Sequence, residues 1–283
     1  MLKAFHALLK FDRLTHVVDV GANPIDGEPP YKAILDGGLC RVTGFEPQRE
    51  VLAELNKTKS AYETYLPYGV GDGTRKTLNI CRYSGWTSTL KPSASSLNVF
   101  RVFEQNAEVL REVPLQTKKL DDIAEIDYLD FLQIDIQGGE LSVFRNAKRL
   151  LSKASVIQTE VSFVTLYENQ PSFGEIDVEL RSQGFMPHCF ATVKNGPIAP
   201  LVFNNNPRQP LNQLLEADVV YVKDYREPKA LSDEQLKNMC FVAHACYGSY
   251  DLAYRLLVLL QGRKAVAEDA PQQYVKLLTA PQK

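Results

Sequence analysis

The chain has too few glycines in the right places for a phosphorylated nucleotide. Its first β-branched run is followed by Gly21-Ala22-Asn23-Pro24-Ile25-Asp26-Gly27, a loop with one glycine in the tight turn. A dinucleotide site needs a crowded glycine set at that point, and a nucleoside triphosphate needs a P-loop; both are missing. An excess of charge is missing too. Lys and Arg number 32 against 34 Asp and Glu, a net charge of −2, so nothing points to nucleic acid as a partner. The five cysteines (Cys40, Cys81, Cys189, Cys240, Cys246) form no Cys-x-x-Cys pair. An odd, scattered set in apolar segments reads as free thiols in a reducing, cytoplasmic compartment. Cys240 and Cys246 read as helix-packing residues, not metal ligands. Long apolar runs are also absent. Residues 252–260 are too few to span a bilayer. Residues 1–14 alternate apolar and basic side chains at helical spacing, as expected of an amphipathic helix packed on the first strand and not of a signal-peptide core.

What is present is more specific. Val17-Val18-Asp19-Val20-Gly21-Ala22-Asn23 ends a β-branched run in an acid and a glycine, and Gly44-Phe45-Glu46-Pro47 ends a second apolar run in an acid. A strand, a glycine turn, a helix and a strand tipped by a carboxylate form half of a nucleotide-binding α/β unit. The glycine lets backbone pass close to a ligand. The carboxylate of Glu46 can accept charge-assisted hydrogen bonds from a ribose diol. Adenosine without phosphates fits this pattern, and S-adenosylmethionine meets that description.

Strand and helix patterns alternate to about residue 225, which predicts a mostly parallel sheet. A helix is expected over 48–57, a third strand within 63–70, β-rich stretches at 77–83 and 115–119, and a central strand over 131–136. A helix over 140–151, a strand over 154–161 and a helix over 173–183 follow. Residues 185–193 and 218–223 are expected to close the sheet as an antiparallel edge pair. The Ser/Thr-rich stretch 84–113, irregular and then helical, reads as an insertion covering a binding site. Residues 1–226 therefore read as one domain. Residues 227–283 form a helical extension opened by a capping box at Ser232 and Gln235 and broken at Tyr247-Gly248-Ser249. Its apolar side must pack on the main domain or on a second copy, making a homodimer.

These motifs in order resemble the FkbM-type S-adenosylmethionine-dependent methyltransferases. The resemblance rests on Val-Asp-Val-Gly-Ala-Asn, Phe-Glu-Pro, Leu120-Asp121-Asp122, Asp130-Phe131-Leu132-Gln133-Ile134-Asp135-Ile136-Gln137-Gly138 and Glu160, over roughly residues 15–225. It implies the seven-stranded class I methyltransferase fold and methylation of hydroxyl oxygens, often on sugars or natural products. It places Asp19, Gly21, Ala22 and Asn23 around the methionine part of the cofactor. Glu46 with Pro47 would sit at the ribose, Gly71-Asp72 near the adenine, and Asp135 beside the methyl. Two departures stand out. Gln133 and Gln137 occupy positions where the family shows Lys and Glu, and Ile25 replaces a glycine. Glu28-Pro29-Pro30-Tyr31 looks like the signature of amino methyltransferases that act on flipped-out bases, but it follows the first strand instead of the fourth and reads as a loop opening a helix.

Methyl transfer to a hydroxyl requires alignment and a base. Asp135 and Glu160, at two strand tips, are the candidate acids, and His188 is a third candidate from the sixth strand. The two acids would also suit a divalent ion such as Mg²⁺, though so few carboxylates do not favour a metal site. The reading is an O-methyltransferase for a small polyhydroxylated acceptor (saccharide, glycan or natural product). The alternative is a cofactor-binding assembly module whose catalysis the glutamines have altered.

Overall fold

A computed structural model describes residues 1–23 and 27–279. In chain order the first half contains α1 (Leu2–Leu9), β1 (Thr15–Val20), α2 (Lys32–Asp36), β2 (Cys40–Phe45), α3 (Arg49–Thr58), β3 (Glu63–Leu66), β4 (Gly69–Val70), β5 (Arg75–Cys81), α4 (Ala94–Val99) and β6 (Val109–Lys118). Then come β7 (Phe131–Ile134), α5 (Glu140–Arg145), α6 (Lys148–Leu151), β8 (Val156–Ser162), α7 (Phe173–Ser182), β9 (Phe185–Asn195) and β10 (Leu214–Lys223). Three helices close the chain: α8 (Asp233–Tyr247), α9 (Tyr250–Gly262) and α10 (Ala270–Thr279).

β1 is buried along its whole length, as a β-branched run with both faces covered should be. It lies between β2 and β7, parallel to both, in a seven-stranded sheet of order β3-β2-β1-β7-β8-β10-β9. Only β10 runs against its neighbours, pairing antiparallel with β8 and β9. The strand order reverses beside β1, so a crevice opens at the carboxyl ends of β1 and β7, where open α/β sheets bind ligands. Register places a polar row there: Asp19 faces Gly44 on one side and Gln133 on the other, and Gln133 faces Gln158.

Successive side chains of a strand point to opposite faces. Val17 accordingly joins a core with α1, α2 and α8–α10, while Val18 and Val20 join one with α5–α7. The C-terminal helices thus cover one face of the main sheet. Ser232 caps α8 reciprocally with Gln235, and Asn238 ties the helix to Thr15 and Asp130. α1 rests on these helices more than on the first strand, with Phe5 against Phe241, His244 and Tyr274. Among the described residues no helix is long and apolar enough to cross a membrane.

Several expected elements change shape. Pro67 breaks the stretch 63–70 into β3, in the large sheet, and β4, in a second sheet of order β4-β6-β5. Helix was expected to continue to 113, but β6 begins at Val109 and pairs with β5. β4 pairs with β6 only at Thr117 and Lys118, so β6 is an edge at Pro114, where a missing N–H is tolerated. The strand expected over 131–136 stops at Ile134, because Gln137 turns to φ +56°. The helix expected over 140–151 divides between Arg145 and Lys148.

Candidate functional site

Gly21 ends β1 at φ +89°, and a Cβ there would lie 2.0 Å from the Asp135 carbonyl oxygen. Both the backbone angle and the close approach require glycine. The Gly21 and Ala22 N–H groups donate to the Phe45 carbonyl at 3.1 Å each, and the Asp135 N–H donates to Val20 at 3.0 Å. The tips of β1, β2 and β7 are thereby stitched into one rim.

A cavity of about 480 Å³ opens over this rim. Gly21, Asn23, Glu46, Pro47, Asp72 and Asp135 line it, with Gly71 beside Asp72 and apolar surface from Tyr68, Val70 and Leu141. Residues 84, 85 and 87–90 of the Ser/Thr-rich stretch line it as well. Glu46 is 3 % exposed, and its Oε1 accepts from the Gln48 N–H at 2.6 Å. Burial pushes its carboxyl up to about 7, and the Gln48 donor only partly offsets this. Asp72 is different. Burial works against its ionisation, but Lys76 and Thr74 outweigh it and hold the carboxyl below the usual range. Among the lining residues the two cations are engaged with acids, Lys76 with Asp72 at 2.7 Å and Arg145 with Glu179 at 3.5 Å.

A second cavity, of about 890 Å³, shares Gly21, Asn23 and Asp135 with the first. Asp19 and Ala22 face this one, along with Tyr31, Gln133, Gln158 and Lys194. Asp19 accepts a hydrogen bond from the Tyr31 hydroxyl. Burial raises its carboxyl to about 6, and Tyr31 pulls the other way. Gln133 Oε1 is buried without a hydrogen-bond partner, while Gln158 Oε1 accepts from Tyr247 at 2.8 Å.

Where the two cavities meet, Gln137 joins the two strand-tip acids. Its Nε2 donates to Asp135 Oδ1 at 2.7 Å and to Glu160 Oε2 at 3.1 Å. The Tyr167 hydroxyl stands 3.0 Å from Gln137 Oε1, which fixes the amide with its NH₂ toward the carboxyls. Glu160 is 5 % exposed. Burial drives its carboxyl well above the usual range, Asp135 and Glu216 add repulsion, and Lys194 at 3.8 Å opposes them. The buried Glu140 carboxylate accepts from the Ile136 and Gly138 N–H groups and so pins the loop after β7. Ser88 Oγ donates to the Gln137 carbonyl at 2.7 Å.

The structure therefore brings Gly21, Asn23, Glu46, Pro47, Gly71, Asp72 and Asp135 to one cavity, sets Asp19 and Ala22 in the neighbouring one, and places Glu160 behind Asp135. His188 stands apart on β9, with Nε2 2.7 Å from Ser249 Oγ at the start of α9. The departure at Ile25 lies outside the described residues. Sequence reasoning missed Tyr31, Tyr167 and Lys194. The Pro-Pro-Tyr run was a visible signal for the first, since Tyr31 immediately precedes α2 as expected of a loop that opens a helix. Among the described residues no three His, Cys, Asp or Glu side chains converge into a set able to hold a metal ion.

The methyltransferase FkbM domain matches residues 19–187. No curated protein matches the chain. Solved structures it is similar to include the magnesium protoporphyrin IX methyltransferase of Synechocystis PCC 6803 with bound S-adenosylmethionine, at 11 % identity and a TM-score of 0.37, covering 79 % of this chain and 78 % of that one. Another is the precorrin-6y C5,15-methyltransferase of Geobacter metallireducens GS-15, at 12 % identity and a TM-score of 0.36, covering 79 % and 87 %. With the FkbM domain matching more than half of its length, and with the mostly parallel seven-stranded sheet expected from the sequence resemblance, this chain belongs to the FkbM methyltransferase family.

Proposed function

We propose that the protein transfers a methyl group from S-adenosylmethionine to a hydroxyl of a small polyhydroxylated acceptor. The observation that carries this reading is that Asp135 lines both cavities and is held by Gln137 to the buried Glu160.

The residues of the smaller cavity fit the cofactor. A Cβ-free rim at Gly21 admits close approach, and Glu46 is a buried acceptor suited to a ribose diol. The lining cations are already paired, so the cavity suits an adenosine ligand without phosphates. Bound there, S-adenosylmethionine supplies a methyl group on a positively charged sulfur. Glu46 must be ionised to accept two hydroxyl donors at full strength. The rest of the task is to hold the acceptor oxygen in line and take its proton.

Asp135 reaches both cavities and acts as the base. Glu160, behind it, is a second carboxyl whose own proton affinity is raised by burial and then by the neighbouring Asp135. Gln137 aims both carboxyls and Tyr167 aims Gln137. The larger cavity receives the acceptor. Asp19, Gln133 and Gln158 offer it acceptors and donors of the kind that pair with hydroxyls.

The test is release of S-adenosylhomocysteine from a panel of methyl glycosides, polyols and phenols. Asp135→Asn is expected to lower turnover by ~10²–10⁴-fold with cofactor affinity retained. Full turnover in that variant removes the base assignment. Cofactor binding without product from any acceptor favours a module whose catalysis is altered.

A further inference from the structure

We propose that the β9–β10 connection, residues 196–213, is a docking surface for a lipid bilayer. Among the described residues, eight of the eighteen exposed large hydrophobics fall between 190 and 214. Leu201 is 64 % exposed, Val202 53 %, Ile198 51 % and Phe203 44 %. Leu201, Val202 and Phe203 are consecutive, and an exposed apolar cluster of this kind marks an interaction site. The amphipathic N-terminal helix offers no such surface, because Phe5 and Leu9 are fully buried.

The display is built. The Ala199 N–H donates to the Val99 carbonyl at 2.9 Å, and the Gly196 N–H donates to Gln213 at 2.9 Å. Asn195 Nδ2 reaches the Leu211 carbonyl at 2.8 Å. Gly196 packs on Phe100 and Leu215. These bonds tie the loop to its flanking strands and to the end of α4 while its apolar side chains face water.

Charge selects the occupant. From Asn195 to Leu215 the sequence holds no acidic residue and a single basic one, Arg208; its other polar groups are Asn and Gln. Apolar side chains without acids, beside one guanidinium able to pair with a phosphate, suit an anionic lipid surface.

Position links the surface to the site. β10 runs antiparallel to β8, so the loop projects from the carboxyl edge of the sheet, where both cavities open. Lys194, just before the loop, lies 3.8 Å from Glu160. The inference does not depend on methyl transfer.

Cosedimentation of the full chain with vesicles tests it. The wild-type protein is expected to sediment with mixed phosphatidylcholine–phosphatidylglycerol vesicles, and less with phosphatidylcholine alone. Leu201→Asn with Phe203→Asn is expected to weaken binding at least ~10-fold, with thermal unfolding and S-adenosylmethionine affinity unchanged. Arg208→Glu, which keeps the apolar residues, is expected to lower binding to the mixed vesicles only. Wild-type protein that sediments with neither vesicle overturns the proposal, as does a double variant that binds like wild type. Self-association that the double variant abolishes, without vesicle binding, assigns the face to a second copy instead. Failure to bind S-adenosylmethionine would count against the methyltransferase reading and leave the vesicle result standing.

Discussion

Replacing Glu46 with glutamine should make the protein more stable and a poorer binder of its cofactor. The carboxyl sits at about 7, against an ordinary value of 4.5, because burial penalises its charge. The folded state therefore holds this proton more tightly than the unfolded chain does. Stability contributed by the group is fully present below pH 4.5 and is lost as pH rises through about 7. The upward displacement corresponds to about 3 kcal/mol of destabilisation above pH 7. Glu46→Gln keeps the shape and removes the charge, so at pH 8 the free variant should gain about 3 kcal/mol, while at pH 4.5 the two proteins should converge. Binding moves the other way. Loss of a charged acceptor for a ribose diol costs about 1.5–3 kcal/mol, or roughly 10–150-fold in affinity. Cofactor binding to the wild type near pH 6 should release a proton, and affinity should rise with pH until about 7. Urea unfolding at the two pH values gives the first quantity, and calorimetric titration of S-adenosylhomocysteine in buffers of different ionisation enthalpy gives the second. A variant less stable than wild type at pH 8, or one with unchanged affinity, refutes the placement of Glu46 as a strained, buried ribose acceptor.

Other perturbations probe the rim and the acid pair. Gly21→Ala should cost on the order of 3 kcal/mol in urea unfolding, since the new Cβ meets the Asp135 carbonyl in a left-handed backbone; an unchanged midpoint contradicts this. Tyr31→Phe removes a hydroxyl donor from Asp19, whose carboxyl should rise further above about 6. The loss of stability, about 1–3 kcal/mol, should be larger at pH 8 than at pH 5, and equal losses at both pH values would sink the pairing. Gln137→Glu sets a third carboxyl between Asp135 and Glu160, so the acidic limb of the rate–pH profile should move up by about one unit; an unmoved limb means that Gln137 does not control the pair.

Much of the fold was legible because its signals are local. The β-branched run 17–20, the glycine at 21 and the acid at 46 each dictate their own conformation or exposure, and they ended up on one rim. The capping box at Ser232 and Gln235 was likewise readable from four residues. What escaped depends on distant partners. Whether 109–113 is helix or strand is decided by β5, roughly thirty residues away in the chain. Tyr31 is an ordinary loop aromatic until β1 presents Asp19 to it. Gln137 could be seen as a departure from the family, but its bond to Glu160 exists only once β7 and β8 are paired. His188 likewise takes its partner from a distant element, since its Nε2 meets Ser249 Oγ at the start of α9.

Methyl transfer to oxygen can be followed with carbon-13-labelled S-adenosylmethionine and nuclear magnetic resonance of the product formed from the best acceptor of the panel. An O-methyl carbon signal should appear with the wild-type enzyme and fall by ~10²-fold or more in rate with Asp135→Asn. A labelled N-methyl or C-methyl product, or an O-methyl product formed equally fast by Asp135→Asn, contradicts the assignment.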